Sequence, residues 1–188
     1  MKKILFILIL ILFSCKSNQS TLEINCIHHE FRDSNEFDKI YKDIYVFNQY
    51  SELISSFKND GNDGILLLEM YEGFEKGKSV VMNIANNQID CKSYYGMDDM
   101  KVLKIENEDY IRIETILSEE LEMNNYAFNC DTNVDDINYI LWIKKDNEIK
   151  IKLYSTYSPN ILLHNSNNSK NLNKVLNIFS MVNKYSNK

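Results

Sequence analysis

Cysteine, histidine and glutamate alternate near the start of the chain, in a pattern that could bind a metal ion or activate a thiol. Cys26, His28 and Glu30 are separated by single residues. Alternate residues of a β-strand share one face and lie ~6.6 Å apart, so a strand over 22–30 would bring the three together. Because no second pair of metal ligands stands at a recognised spacing, we favour a strand whose side chains meet the rim of the core.

A second candidate is acidic. Asp131, Asn133 and Asp135 have the spacing of the first ligands in a calcium-binding loop. Asp136 stands where such a loop needs glycine, and Trp142 where it needs glutamate. We therefore interpret the segment as an Asx-turn loop, with a single weak ion site as the alternative, and predict no metal and no cofactor.

Patterns of the known enzyme classes are missing. Ser55 and Lys58 match S-x-x-K, but the S-D-N and K-T-G partners of that motif are absent. The chain also lacks G-x-S-x-G, H-E-x-x-H, P-loop and G-x-G-x-x-G motifs. We therefore predict that the protein is not an enzyme.

The N-terminus has the organisation of an export signal. Lys2 and Lys3 precede ten consecutive apolar residues, Ile4 to Phe13. A helix of that length spans ~15 Å, about half of a bilayer core. The stretch therefore predicts a signal peptide and not a transmembrane helix.

The next residues, Leu12 to Cys15, resemble the lipobox of bacterial lipoproteins, although Phe13 stands where that family usually has a small residue. The resemblance covers residues 1–15 only. It implies that signal peptidase II removes residues 1–14 and that the Cys15 thiol carries a diacylglyceryl group. Acyl chains such as palmitate would then anchor the protein in a membrane.

The residue after the lipobox bears on localisation. Lys16 is not the aspartate that keeps some lipoproteins in the inner membrane, and the acidic run that exports others to the cell surface is missing. The resemblance therefore implies a cell-envelope protein, on the outer membrane and facing the periplasm if the cell is Gram-negative.

Composition predicts one folded domain behind this anchor. The chain has 188 residues, of which 44% are hydrophobic and one is proline. We divide it into a signal peptide at 1–14, a lipidated Cys15 with a polar tether at 15–21, and a single domain at 22–188. The net charge of -6 argues against a nucleic-acid partner.

Charge is distributed unevenly within that domain. Residues 98–122 are strongly acidic and residues 144–188 are rich in lysine. We interpret these as two solvated faces that attract each other. The alternatives are a polar binding surface or a lysine-bearing face directed at anionic lipid.

Three cysteines remain beyond Cys15: Cys26, Cys91 and Cys130. In an oxidising envelope they allow one disulfide, with three pairings. We favour Cys91–Cys130, because both residues lie in the region of predicted strands. All three could equally be buried thiols.

Hydrophobic spacing predicts an α+β fold. Phe37 to Ile44 and Tyr50 to Phe57 have helical spacing, with Asn48 as a cap for the second helix, and Leu172 to Val182 form a final helical stripe. Turn signals about every ten residues predict an antiparallel meander of about seven strands, near 64–72, 78–85, 88–95, 101–106, 110–117, 137–145 and 149–157.

The last hairpin has a predicted register. A three-residue loop over 146–148 would place Ile143 opposite Ile151 and Leu141 opposite Leu153. That register separates the apolar face from the charged face, so we prefer it to a two-residue loop. The C-terminal helix is then expected to pack on the sheet.

Three functions are compatible with this sequence. The first is a non-enzymatic binding module that is anchored to the membrane through its lipid and presents a sheet surface to an envelope partner or a toxin. The second is a carrier that holds an apolar or lipid ligand between sheet and helix. The third, an enzyme using Cys26 and His28 or Asp131 and Asp135, ranks last.

Overall fold

The computed structural model describes residues 26–31, 37–38, 50–71, 77–96, 99–130, 137–163 and 169–188. Its strands are β1 Cys26–Phe31, β2 Asp63–Tyr71, β3 Lys78–Ala85, β4 Gln88–Tyr95, β5 Asp99–Leu103, β6 Asn124–Cys130, β7 Ile137–Lys145 and β8 Glu148–Ser155. Its helices are α1 Ser51–Asn59, α2 Asn107–Ser118, α3 Pro159–Leu162 and α4 Lys170–Asn183.

All eight strands form one sheet, in the order β1-β6-β8-β7-β2-β3-β4-β5. Neighbouring strands are antiparallel except β6 and β8, which are parallel. The predicted α+β fold with a largely antiparallel sheet is therefore confirmed. The sheet has one strand more than the meander that we predicted.

The middle strand β2 is buried on both faces, as its continuous apolar run predicts. Ile65 and Leu67 belong to one core cluster, and Leu66 and Leu68 belong to the other. The first cluster also contains the buried apolar residues of α2 and α4, while the second contains those of α1. Helices therefore cover both faces of the sheet, and α4 packs on it as expected.

The strand predicted at 110–117 is wrong, because these residues lie in α2. Asp109, Ile113 and Leu117 are the buried positions of that helix and recur every four residues. Glu108 and Asp109 also place negative charge in the first turn, where the helix dipole favours it. Isoleucine is common in strands, which hid the helical period.

Two further strands differ from the prediction. The strand expected at 101–106 is β5, at Asp99–Leu103. The strand β6 was not predicted, and it pairs with β1 on one side and with β8 on the other. Its neighbours β1 and β8 lie toward opposite ends of the chain, so the hydrophobic spacing within β6 itself gave little indication of a strand.

The register predicted for the last hairpin is confirmed: Ile143 pairs with Ile151 and Leu141 with Leu153. The loop is shorter than predicted, because Lys145 pairs with Glu148 and the turn is Asp146-Asn147 with φ of 54° and 63°. A register shift after Ile143 absorbs the extra residue as a β-bulge.

Two predicted helices are confirmed as α1 and α4. In α4 the stripe Leu172, Val175, Leu176, Phe179 and Val182 is buried, and the Ser169 hydroxyl caps the helix by accepting a hydrogen bond from the Leu172 amide. The Asn48 cap and nearly all of the helix predicted at 37–44 lie outside the described residues.

Candidate functional site

Strand β5 is one edge of the sheet and has a single partner, β4, among the described residues. Its side chains are unusually open for apolar residues: Met100 is 49% exposed and Val102 is 67% exposed. A strand edge has unpaired amide and carbonyl groups, which can pair with a further strand. The edge therefore combines backbone donors and acceptors with an apolar surface.

The register between β4 and β5 defines that surface. Met100 lies opposite Tyr94 and Val102 lies opposite Lys92, so all four share one face of the sheet. Tyr94 packs in part against the core beneath α1, whereas Met100 and Val102 extend past that cover. We call Tyr94, Met100 and Val102 the edge strip.

Turn residues fix where this edge lies. Asn86 and Asn87 connect β3 to β4 with positive φ angles of 50° and 58°, a geometry that asparagine tolerates and that suits a two-residue hairpin. Gly96 follows β4 with φ of 65°, and its amide donates to the Gly77 carbonyl over 2.8 Å. These contacts hold the β3–β4 hairpin from which β5 extends.

The opposite face of the same edge is occupied by the C-terminal residues. Ser186, Asn187 and Lys188 lie against β3, β4 and β5 around a small polar cleft of about 220 Å³, whose lining includes Lys78 and Tyr95. The Lys78 ammonium donates to the Asn187 side-chain oxygen over 2.6 Å. Judged from the described residues, the face with the edge strip is therefore the one that is open to a large partner.

A buried carboxylate lies behind the cleft. The Ser186 hydroxyl donates to Glu69 Oε2 over 2.9 Å, and the Tyr71 hydroxyl donates to Glu69 Oε1 over 2.5 Å. Burial and this hydrogen bond raise the pKa of Tyr71. The serine and tyrosine protons thus already bond the carboxylate, an arrangement that stabilises the fold and leaves no activated nucleophile in this group.

Acidic and basic segments meet at the C-terminus, which agrees with the predicted attraction between two faces. The side chain of Asp109 on α2 accepts from the Tyr185 hydroxyl over 2.9 Å and from the Lys184 ammonium over 3.1 Å. Glu119 pairs with Lys174 in the same way. Burial and the bond to Asp109 raise the pKa of Tyr185 to about 12.

The first sequence candidate lies on strand β1, where His28 and Glu30 are exposed. His28 stacks on Phe128 with ring centroids 4.6 Å apart, and its Nε2 lies 3.8 Å from the nearer Glu30 oxygen. Burial lowers the pKa of His28, while Glu30 acts in the opposite direction. No group of three or more metal-binding side chains occurs among the described residues.

Of the remaining sequence candidates, the structure contradicts one, and the others lie outside the described residues. The Cys91–Cys130 disulfide is wrong, because Cys91 is a buried free thiol and five strand spacings, about 24 Å along the sheet, separate β4 from β6. Cys15 and the loop with Asp131, Asn133 and Asp135 lie outside the described residues.

Comparisons with protein-family models, with curated proteins and with solved structures found no match. In the part of the chain that the structure describes, none of the helices is long and apolar enough to cross a bilayer.

Proposed function

We propose that this protein is a lipid-anchored lipoprotein of the cell envelope and acts as a non-enzymatic interaction module. Its partner is an extended segment of another envelope protein, which adds to the sheet along β5. The observation that supports this function is that β5 pairs with β4 alone among the described strands and exposes Met100 and Val102. Strand addition uses two features that this edge offers, namely backbone groups for pairing and an alternating apolar surface.

The positions of the anchor and the edge fit this role. The tether joins the domain at β1, and β1 and β5 are the two ends of the eight-stranded sheet. At ~4.8 Å per strand, the two edges lie about 34 Å apart. A lipid on Cys15 would therefore be attached at the end of the sheet opposite β5, so the anchor would not cover the proposed binding edge.

The edge strip also indicates what the partner looks like. Met100 and Val102 alternate with Asp99 and Lys101, which lie on the other face of the sheet. A partner strand would place an apolar residue at every second position to cover the edge strip. Its remaining side chains would lie beside Asp99 and Lys101, which calls for polar residues of either charge.

The carrier function has less support from the packing. The face of α4 that meets the sheet consists of fully buried side chains, among them Val175, Leu176 and Phe179. They pack with Ile65 and Leu67 of β2 in one core cluster. The space between this helix and the sheet is thus filled by the protein's own side chains, so the interaction module is the better proposal.

The anchor can be tested by replacing its cysteine. In a Cys15→Ala variant, we expect labelled palmitate to be lost from the protein and the product to leave the membrane fraction, because the thiol that carries the acyl chains is gone. Ser17→Ala, two residues further on, is the matched control and should be labelled like wild type. Continued labelling of Cys15→Ala would contradict the anchor.

The edge can be tested by photo-crosslinking in intact cells. A photoreactive residue at position 102 should capture a discrete envelope protein, and Met100→Lys in the same chain should reduce that capture about tenfold, since a charge would enter the apolar contact. The matched control is position 111, because Ile111 is 53% exposed but lies on α2. Equal capture from positions 102 and 111, or capture that Met100→Lys leaves unchanged, would contradict the proposal.

A further inference from the structure

Two cysteines are register partners at one end of the β1–β6 pair. Cys26 is the first residue of β1 and Cys130 is the last residue of β6. The two strands are antiparallel, and their register places these residues directly opposite each other. The sequence alone left three pairings open, and the topology now distinguishes between them.

The backbone geometry of such a pair suits a disulfide bond. Directly opposed residues of antiparallel strands have Cα atoms ~4.5–5.5 Å apart, depending on whether they share hydrogen bonds. A disulfide requires a Cα separation of ~4.4–6.8 Å. Both kinds of opposed pair therefore meet the requirement without movement of the backbone.

Cys91, the third cysteine, is poorly suited to form a disulfide with Cys26 or Cys130. Cys91 on β4 is buried and free, and burial raises the pKa of its thiol to about 12. Disulfide exchange proceeds through the thiolate, which is scarce at neutral pH for such a group. Five strand spacings also separate β4, which contains Cys91, from β6, which contains Cys130.

We propose that Cys26 and Cys130 form a disulfide that fastens β1 to β6. The oxidising compartment that this bond requires rests on the envelope placement proposed above. The oxidant is a disulfide-bearing oxidoreductase: one cysteine thiolate attacks its disulfide, and the second cysteine thiolate then displaces the oxidoreductase from the mixed disulfide. The protein loses two electrons and two protons, and the oxidoreductase is released as a dithiol.

The position of the bond gives it a role in anchoring. Strand β1 is the end of the sheet and pairs only with β6 among the described strands. It is also the strand that follows the tether. A disulfide at Cys26 would hold the first residue of β1 to β6. This is the point of the sheet at which a force applied through the lipid anchor would act first.

The test is peptide mapping of full-length protein taken from membranes and alkylated before reduction. We expect a crosslinked peptide pair containing Cys26 and Cys130, lighter by two hydrogen atoms than the reduced peptides, with Cys91 alkylated after unfolding. Cys91→Ser should keep this pair, whereas Cys26→Ser and Cys130→Ser should lose it. Alkylation of both Cys26 and Cys130, or a bond from either one to Cys91, would overturn the proposal.

A second arm separates the bond from the localisation. Purified, reduced protein is incubated in a glutathione redox buffer, in which glutathione disulfide is the oxidant. We expect the same pair to form and to raise the midpoint of thermal unfolding by about 5–10 °C, an increase absent from Cys26→Ser. Failure to form here overturns the disulfide; formation here but not in cells supports the pairing and overturns the envelope placement.

Discussion

Replacing Gly77 with alanine should lower the free energy of unfolding by about 3 kcal/mol, because the new methyl group has no room. A Cβ atom at this position would lie 2.4 Å from the Glu69 carbonyl oxygen and 2.6 Å from the Tyr50 hydroxyl. The first of these atoms belongs to the backbone of β2, the most buried strand of the sheet. Relief of the contact would therefore require a shift of β2 or of the start of β3.

The measurement is denaturant unfolding of wild type and variant, with a glycine elsewhere in the chain as the control. At Gly61 an added Cβ meets no atom within 4 Å. Gly61→Ala should therefore leave the midpoint near that of wild type or raise it slightly, because alanine restricts the unfolded chain. Similar midpoints for the two alanine variants would show that the close approach at Gly77 does not exist.

Replacing Lys144 with methionine should cost about 2–3 kcal/mol, although the two side chains have similar length. Lys144 is 1% exposed, and its ammonium donates to the Phe57 carbonyl over 2.6 Å and to the Asp60 carbonyl over 2.5 Å. These carbonyls belong to the end of α1, where the helix leaves its last acceptors unsatisfied. Methionine would bury both oxygens without a donor.

The environment of Lys144 explains why its charge matters there. Burial lowers the pKa of the ammonium, while Asp60 and Asp63 act in the opposite direction. The ammonium also lies 4.9 Å from the centre of the Phe57 ring, a distance that favours a cation–π contact. The negative end of the α1 dipole adds to this preference for a cation.

The control for Lys144 is a lysine on the neighbouring strand. Lys150 pairs with Glu148 at the exposed end of β8, where solvent screens the interaction. Lys150→Met should therefore leave the denaturation midpoint almost unchanged in the same urea titration. The role assigned to Lys144 is wrong if its methionine variant unfolds at the same midpoint as the Lys150 variant.

The parts of the fold that were predictable from sequence are those set by neighbours along the chain. The apolar run Ile65–Leu68 predicted the central strand, and the alternation around Ile143 and Ile151 predicted the hairpin register. In α4 the spacing of Leu172 to Val182 predicted the buried face. Each of these signals is complete within one or two adjacent elements.

The errors arose where the decisive contact is distant in sequence. Asp109 is buried in α2, where its side chain accepts a hydrogen bond from Tyr185 near the C-terminus. Because a charged residue is not expected at a buried position, the sequence did not show the helical spacing of Asp109, Ile113 and Leu117. β6 is a strand because β1 and β8 lie on either side of it. Neither fact is visible in the residues of the element itself.

The candidate site shows the same division. The strand predicted at 101–106 included Val102 but not Met100, and its place at the edge depends on the order of all eight strands. The three remaining cysteines allowed one disulfide with three possible pairings, and the register that places Cys26 opposite Cys130 favours one of them. Sequence identified the residue types, and topology determined which of them meet.

The place of β6 between β1 and β8 has a consequence for the order of folding. β6 adds to the sheet through β8, which follows it in the chain, and β1 then adds through β6. The ladder that joins β1 to β6 links segments on the order of a hundred residues apart. We therefore expect the N-terminal strand to dock late in folding, after β6 has already joined the rest of the sheet.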